Sequence, residues 1–429
     1  MRDLIRQAIE RSKPLFEAAA DALWDAPETA YREVQASAYQ KEFLRRHGFQ
    51  VEEKLGGIDT AFCAVWGSGT PVLAFLGEFD ALPGLSQQAG VFTPAPVAPG
   101  APGHGCGHHL LGTALMEAAC ALKKYMSFHH LPGVIAYYGC PAEETGAGKV
   151  FLVRAGCFEK VDFAFSWHPY AASGIVEHTL ANVRLRLAFQ GKSAHASASP
   201  WLGRSALNAC ELTNIGVNYL REEIRPECRI HHTFLDAGGR STNSIPAAAS
   251  LLYTLRASEN EAVRQLTQRV LENAGGAALM TDTTLEARIV SGYSSMLSLP
   301  AFDDVLRKNM VSLLPEAEAI LPAGEDFFHA STDVGDVSRT LPTVLMALTC
   351  FSPGTALHSL EATAQGKSVQ ARGGMHRAAQ ILSETAADLL EDSSLRLSIR
   401  QEFEQSSKVM PYVPLIPTET VWQDVLEIL

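Results

Sequence analysis

Cys106 and His108 lie in the segment Gly103-His-Gly-Cys-Gly-His-His, and Glu143-Glu144 closes the run Gly133-Val-Ile-Ala-Tyr-Tyr-Gly-Cys-Pro-Ala. A thiolate, imidazoles and carboxylates at the ends of buried strands form a divalent-metal donor set. A further carboxylate beside them could act as base toward a metal-activated water. Cys106 and His108 stand two apart, so an extended loop projects both side chains the same way. Gly103, Gly105 and Gly107 let such a loop turn tightly. Neighbours at a strand end point in different directions, so one of Glu143 and Glu144 can bind an ion while the other faces its water. A bare Glu-Glu is ordinarily a surface turn; the apolar approach and Pro141 argue against that here. His168 follows a buried-type strand and is a further ligand candidate, although a lone histidine there is more often packed core. Asp80 could hold a ligating imidazole in the correct tautomer, yet Asp-Ala-Leu-Pro by itself is only a turn. His358 carries little signal alone.

Other chemistries fit less well. The glycine spacing at 103–107 lacks the phosphate-loop pattern, and Gly148-Lys149 sits at the wrong spacing for one. No Gly-x-Ser-x-Gly is present. Cys106 could serve as a nucleophile, but its neighbours favour a metal.

The elements that must position these residues alternate in type. The spacing predicts helices over 2–22 and 32–47, the second stopping at His47-Gly48, then strands at 61–66 and 72–77. Residues 91–103 are rich in Pro, Ala and Gly and read as an irregular loop. A helix over 110–125 and strands at 134–138 and 162–166 continue an α/β pattern. Period-two alternation at 183–190 then opens a β-α-β-β-α-β series through 290, the ferredoxin-like order, inserted in a larger fold. A helix near 301–313, a strand at 343–348 and a long helix over 373–390 resume the first pattern. The last thirty residues, with Pro411, Pro414 and Pro417, read as a C-terminal arm wrapping the surface.

A chain of 429 residues exceeds one ordinary core, so two domains are expected. With 47% hydrophobic and 19% charged residues the chain is globular, and a formal charge of −12 argues against nucleic acid or an anionic membrane as partner. There is no 18-residue apolar run, no signal-type N-terminus, and the eight cysteines show no framework spacing. A cytoplasmic protein with reduced thiols follows as the expectation.

Taken together, Glu78-Phe-Asp80-Ala-Leu-Pro-Gly-Leu-Ser, Gly103–His108, Pro141-Ala-Glu143-Glu144 and Trp167-His168-Pro169 resemble the dinuclear-metal aminoacylase/carboxypeptidase G family. So do Gly191-Lys-Ser-Ala-His195 with Pro200, Ser331-Thr-Asp-Val-Gly-Asp-Val-Ser338, Gly354–Ser359 and Gln365-Gly-Lys-Ser. The branch resembled holds aminobenzoyl-glutamate hydrolase and the auxin-conjugate hydrolases, and the match spans nearly the whole chain. The resemblance implies an α/β metallopeptidase-like catalytic domain, a mixed sheet flanked by helices, over 1–180 and 297–429. An inserted ferredoxin-like α+β lid and dimerisation domain would occupy 181–296. It implies metal ligation by Cys106, His108, Glu144, His168 and His358, with Glu143 as general base and Asp80 orienting a ligand. One or two divalent ions, Mn, Zn, Co or Ni, would suit these donors. His195, on the lid, would reach the active site of the partner in a homodimer and donate to the transition state, worth roughly 3–4 kcal/mol; a higher homo-oligomer is a further option. Asn243 would add a polar group.

Two positions depart from the family pattern. His109 stands where relatives more often have Asn or Asp, offering an extra ligand, substrate contact or proton carrier. Arg240 stands in Gly238-Gly-Arg-Ser-Thr-Asn243 where a small residue is expected; it could clamp a substrate carboxylate with two hydrogen bonds, although a surface salt bridge is the commoner use. The resemblance thus implies hydrolysis of a C–N bond in a small anionic, aromatic substrate, most simply an aroyl- or arylacetyl-amino acid amide. A 5-nitroanthranilate-type aminohydrolase, releasing ammonia from an activated aminobenzoate, is the alternative. A non-catalytic binding protein on the same fold would predict decayed ligand positions, and none is decayed.

Overall fold

The computed structural model describes residues 2–428 apart from 317, 323–327 and 329. The chain forms two compact units, Met1–His178 with Met296–His329 and Asp336–Tyr412, and Thr179–Ser295 with Ala330–Gly335 and Val413–Leu429.

The first unit is built on a mixed seven-stranded sheet. Its strands are β1 (Gln50–Glu53), β2 (Phe62–Ser68), β3 (Val72–Glu78), β4 (Gly133–Cys140), β5 (Phe163–Tyr170), β6 (Gly174–Ile175) and β11 (Thr343–Thr349). Their order is β1-β2-β4-β3-β5-β11-β6, with β4, β3, β5 and β11 mutually parallel. Those four strands are almost wholly apolar, because helices cover both faces of a parallel sheet and leave no solvent side. Helix α1 (Asp3–Asp25) buries Ile5, Ile9, Phe16, Ala20 and Leu23, one stripe at helical spacing. Helix α2 (Val34–Arg46) stops before Gly48, whose φ of +77° suits glycine. Helix α3 (His108–His129) is buried from His108 through Leu122, as a helix between other helices and a sheet must be. Short helices α4 (Glu143–Gly146) and α5 (Gly148–Arg154) follow β4. The helix Val369–Glu391 packs against α3, and Ser368 caps it by accepting from Ala371 N.

The second unit has α6 (Ala206–Leu220) and α7 (Asn260–Thr281) with β7 (Ala181–Gln190), β8 (Arg229–Asp236), β9 (Ala248–Ala257) and β10 (Thr284–Tyr293), all pairs antiparallel. Its order β10-β7-β9-β8 is the ferredoxin-like arrangement. Leu185, Leu187, Phe189, Leu251, Tyr253, Val263 and Val270 form its core.

The helices and strands read from the sequence are present, and further short elements and one helix join them. The edge strands β1 and β6 are too short to show a period. Residues 400–409, expected within the arm, are the end of a helix, Ser393–Val409. The rest of the arm belongs to the second unit, where sequence had assigned 297–429 to the catalytic one. Leu415 enters the second core, Arg264 Nη2 donates to Val413 O at 2.6 Å, and Thr420 Oγ1 donates to Ile289 O at 3.0 Å. In the first unit, helix α8 (Pro300–Leu313) resumes the chain.

Candidate metal centre

Several of the cluster's polar residues sit at the C-terminal end of a first-unit strand or in the turn that follows it, and the others come from the loop into α3 and the loop around His358. β3 ends at Glu78 with Asp80 two residues on, β4 leads to Glu143 and Glu144, and β5 carries His168. His108 opens α3 directly after Gly107, whose left-handed backbone (φ +83°) turns the loop into the helix. Cys106 and His108 converge by that turn, not by extended-chain alternation as the sequence suggested. Trp167 Nε1 donates to Leu111 O at 3.1 Å and ties β5 to α3. His358 N donates to Gly105 O at 2.9 Å, drawing the last candidate onto the same loop. Ala142 and His358 hold left-handed φ values of +61° and +60°, costing roughly 1–2 kcal/mol each for residues with a Cβ.

The buried Asp80 carboxylate organises the centre. Its Oδ1 accepts from His108 Nδ1 at 2.9 Å and its Oδ2 from Glu144 N at 2.9 Å. The proton on Nδ1 leaves the lone pair on Nε2, the tautomer a ligand needs. That Nε2 is buried and makes no hydrogen bond, yet it faces Glu78 Oε2 at 3.4 Å, Glu143 Oε2 at 3.9 Å and Glu144 Oε1 at 3.9 Å. Three carboxylate oxygens around that nitrogen favour a positive charge at this point. The donor set therefore fits a divalent ion. Burial disfavours charge on His108, but Cys106 and Asp80 outweigh it and hold the ring well above its usual range. Burial, with His108 beside it, lowers His168 to about 3 and keeps it neutral. His168 Nδ1 donates to Pro169 O at 2.8 Å, which frees Nε2, 3.4 Å from Cys106 Sγ. His358 Nε2 stands 3.1 Å from Glu144 Oε2. Among the described residues three sets bring ligand atoms within 4.8 Å of one another: Cys106, His108 and His168; Cys106, Glu144 and His358; Glu78, His108 and Glu143.

His109 is not brought to this cluster. Adjacent helical residues face apart, so its ring is buried against His104 and its Nε2 donates to Gly366 O at 3.0 Å. His195, Asn243 and Arg240 are exposed residues of the second unit. There the pairing of His195 with Ser244, and Ala196 N donating to Asn243 O at 2.9 Å, bring two of the three together. Sequence reasoning did not single out Glu78. It stands on the strand itself, and its signal was a carboxylate ending an apolar run two residues before Asp80.

A peptidase dimerisation domain model, of the M20 type, matches residues 178–279. Over 465 aligned residues the chain is 38% identical to one of the subunits of p-aminobenzoyl-glutamate hydrolase from Escherichia coli K12, covering 96% of this chain and 97% of that one. The chain belongs to the M20 peptidase family. It is thus a metal-dependent hydrolase of C–N bonds, as the sequence resemblance implied. Mouse Xaa-Arg dipeptidase is 30% identical over 93% of this M20 hydrolase and 92% of its own length. Among solved structures, a Bacillus subtilis protein described as a dinuclear metal-binding peptidase of the M20 family superposes with a TM-score of 0.62 at 18% identity. It covers 89% of this chain and 99% of that one, and shows the common fold. Among the described residues no helix is long and apolar enough to cross a membrane.

Proposed function

We propose that this M20 hydrolase cleaves the amide bond of a small anionic aroyl- or arylacetyl-amino acid, of the aminobenzoyl-glutamate type. The observation that carries the reading is the unbonded His108 Nε2, ringed by carboxylates and the Cys106 thiol. Similarity over the full chain to a p-aminobenzoyl-glutamate hydrolase supports the substrate class. Cys106, His108, Glu144, His168 and His358 would hold one or two ions of Mn, Zn, Co or Ni, supplying Lewis acidity and a water acidified to a pKa of about 7. Glu143 takes the proton from the attacking water and returns it to the departing nitrogen. Asp80 keeps the His108 tautomer fixed throughout. The second unit serves as lid and homodimer interface, from which His195 of a second copy donates to the developing oxyanion, while Asn243 and Arg240 bind the substrate's polar end. Eight free cysteines support a reducing, cytoplasmic setting.

The test is a product assay on metal-loaded protein with aroyl-amino acids and activated aminobenzoates, scoring amino acid and ammonia separately, with and without chelator. Chelator-sensitive amino acid release is expected. Ammonia from an aminobenzoate would move the chain to ring aminohydrolysis. Glu143→Gln should lower turnover by roughly 10²–10⁴-fold with ion content unchanged; full activity in that variant refutes the mechanism.

A further inference from the structure

Lys149 and Glu78 form an ion pair at 2.5 Å with both side chains out of solvent. Neither has a place in the chemistry above. Lys149 is the second residue of α5, which begins at Gly148 directly after Ala147, whose left-handed backbone (φ +56°) sends the helix off at that point. Four carboxylates, Glu78, Asp80, Glu143 and Glu144, converge on the His108 ring. Lys149 is paired with Glu78 through Oε1.

We propose that Glu78 is a metal-binding residue of this centre, aimed by the buried ammonium of Lys149; the proposal rests on the metal reading given above. The ammonium fixes Oε1, and the carboxylate plane then turns Oε2 toward His108 Nε2, 3.4 Å away. Two donors on one tetrahedral ion with bonds of about 2.0–2.1 Å stand about 3.3–3.4 Å apart. Cys106 Sγ and His168 Nε2 show the same separation, 3.4 Å. Glu78 Oε2 and His108 Nε2 therefore stand at the spacing of two ligands on one ion. Glu143 completes the set with Glu78 and His108 within 4.8 Å. Lys149 is accordingly a positioning residue: it takes no ion itself, but holds one oxygen of Glu78 so that the other is presented.

The experiment measures ion binding independently of turnover. Wild type, Glu78→Gln and the double variant Glu78→Gln/Lys149→Met, which removes both buried charges at once and so protects folding, are titrated calorimetrically with Mn²⁺ and Zn²⁺. Bound ions are counted after dialysis, and Co²⁺ absorption spectra report the coordination. Both variants should bind one ion at least 10-fold more weakly and show a changed Co²⁺ spectrum. Wild-type stoichiometry, affinity and spectrum in both variants overturn the proposal while leaving the metal centre standing. Failure of the wild type to bind any of the three ions would instead overturn the metal reading on which it rests.

Discussion

Replacing Asp80 by Asn separates a metal centre from a merely buried polar cluster. Two donors point at this side chain, His108 Nδ1–H and Glu144 N–H, each 2.9 Å from its own oxygen. A carboxamide offers one oxygen and one NH₂, so only one donor can be satisfied. If the oxygen stays on Glu144 N, the NH₂ meets His108, and the ring must move its proton to Nε2, where it blocks the ligand position. If the oxygen stays on the ring, Glu144 N–H is left buried without an acceptor, a cost of about 1–3 kcal/mol. Loss of such an orienting carboxylate weakens metal affinity by about 10–100-fold, or about 1.4–2.8 kcal/mol at 1.4 kcal/mol per decade. Competition against a fluorescent chelator gives the affinity, and thermal melts of the metal-free and loaded forms give the stability. Unchanged affinity together with unchanged melting would refute the assigned tautomer and the role of Asp80.

Two further outcomes rest on buried carboxylates outside the metal chemistry. Burial pushes Asp303 up to about 7, against the hydrogen bond from Ser298 Oγ, so the folded chain keeps a proton that the unfolded chain releases near pH 4. Its contribution is full below about pH 4 and is lost as pH rises to about 7. In metal-free protein Asp303→Asn should match wild type near pH 4 and exceed it by up to about 4 kcal/mol at pH 8; a pH-independent difference in denaturation midpoint contradicts this. Glu33, fully buried, accepts from Tyr31 N and Ala142 N through Oε1 and from Thr60 Oγ1 through Oε2. Glu33→Gln keeps the shared acceptor and should cost under about 1 kcal/mol, whereas Glu33→Ala strands the backbone donors of Tyr31 and Ala142 and should cost about 2–4 kcal/mol; equal losses in chemical denaturation would count against the clamp.

Much of this was legible in the chain because the decisive patterns are local. Apolar runs in β3, β4 and β5 mark strands buried on both faces, and chemistry clusters where such strands end. The ferredoxin-like unit announced itself through period-two alternation between helices of ordinary length. What stayed hidden was geometry set by tertiary packing. His109 follows a candidate ligand in sequence but turns into the core, because helix α3 had already begun. Lys149 read only as a failed phosphate loop, since nothing local shows that α5 lays it against Glu78. The arm after Tyr412 gave no sign of its destination, because three prolines say that a segment is extended and not what it packs upon.

That destination bears on how the chain can be dissected. The polypeptide passes between the two units five times, at 178/179, 295/296, 329/330, 335/336 and 412/413. No single continuous excision yields either unit whole. A fragment spanning 179–295 lacks Leu415, which lies in its core, and the acceptor carbonyls that Arg264 uses. The inserted unit is thus finished only once residues 413–429 have left the ribosome, long after its own strands have been synthesised. Truncation or proteolytic trimming within 413–429 acts on the inserted unit and leaves the strand ends that carry the candidate metal donors untouched.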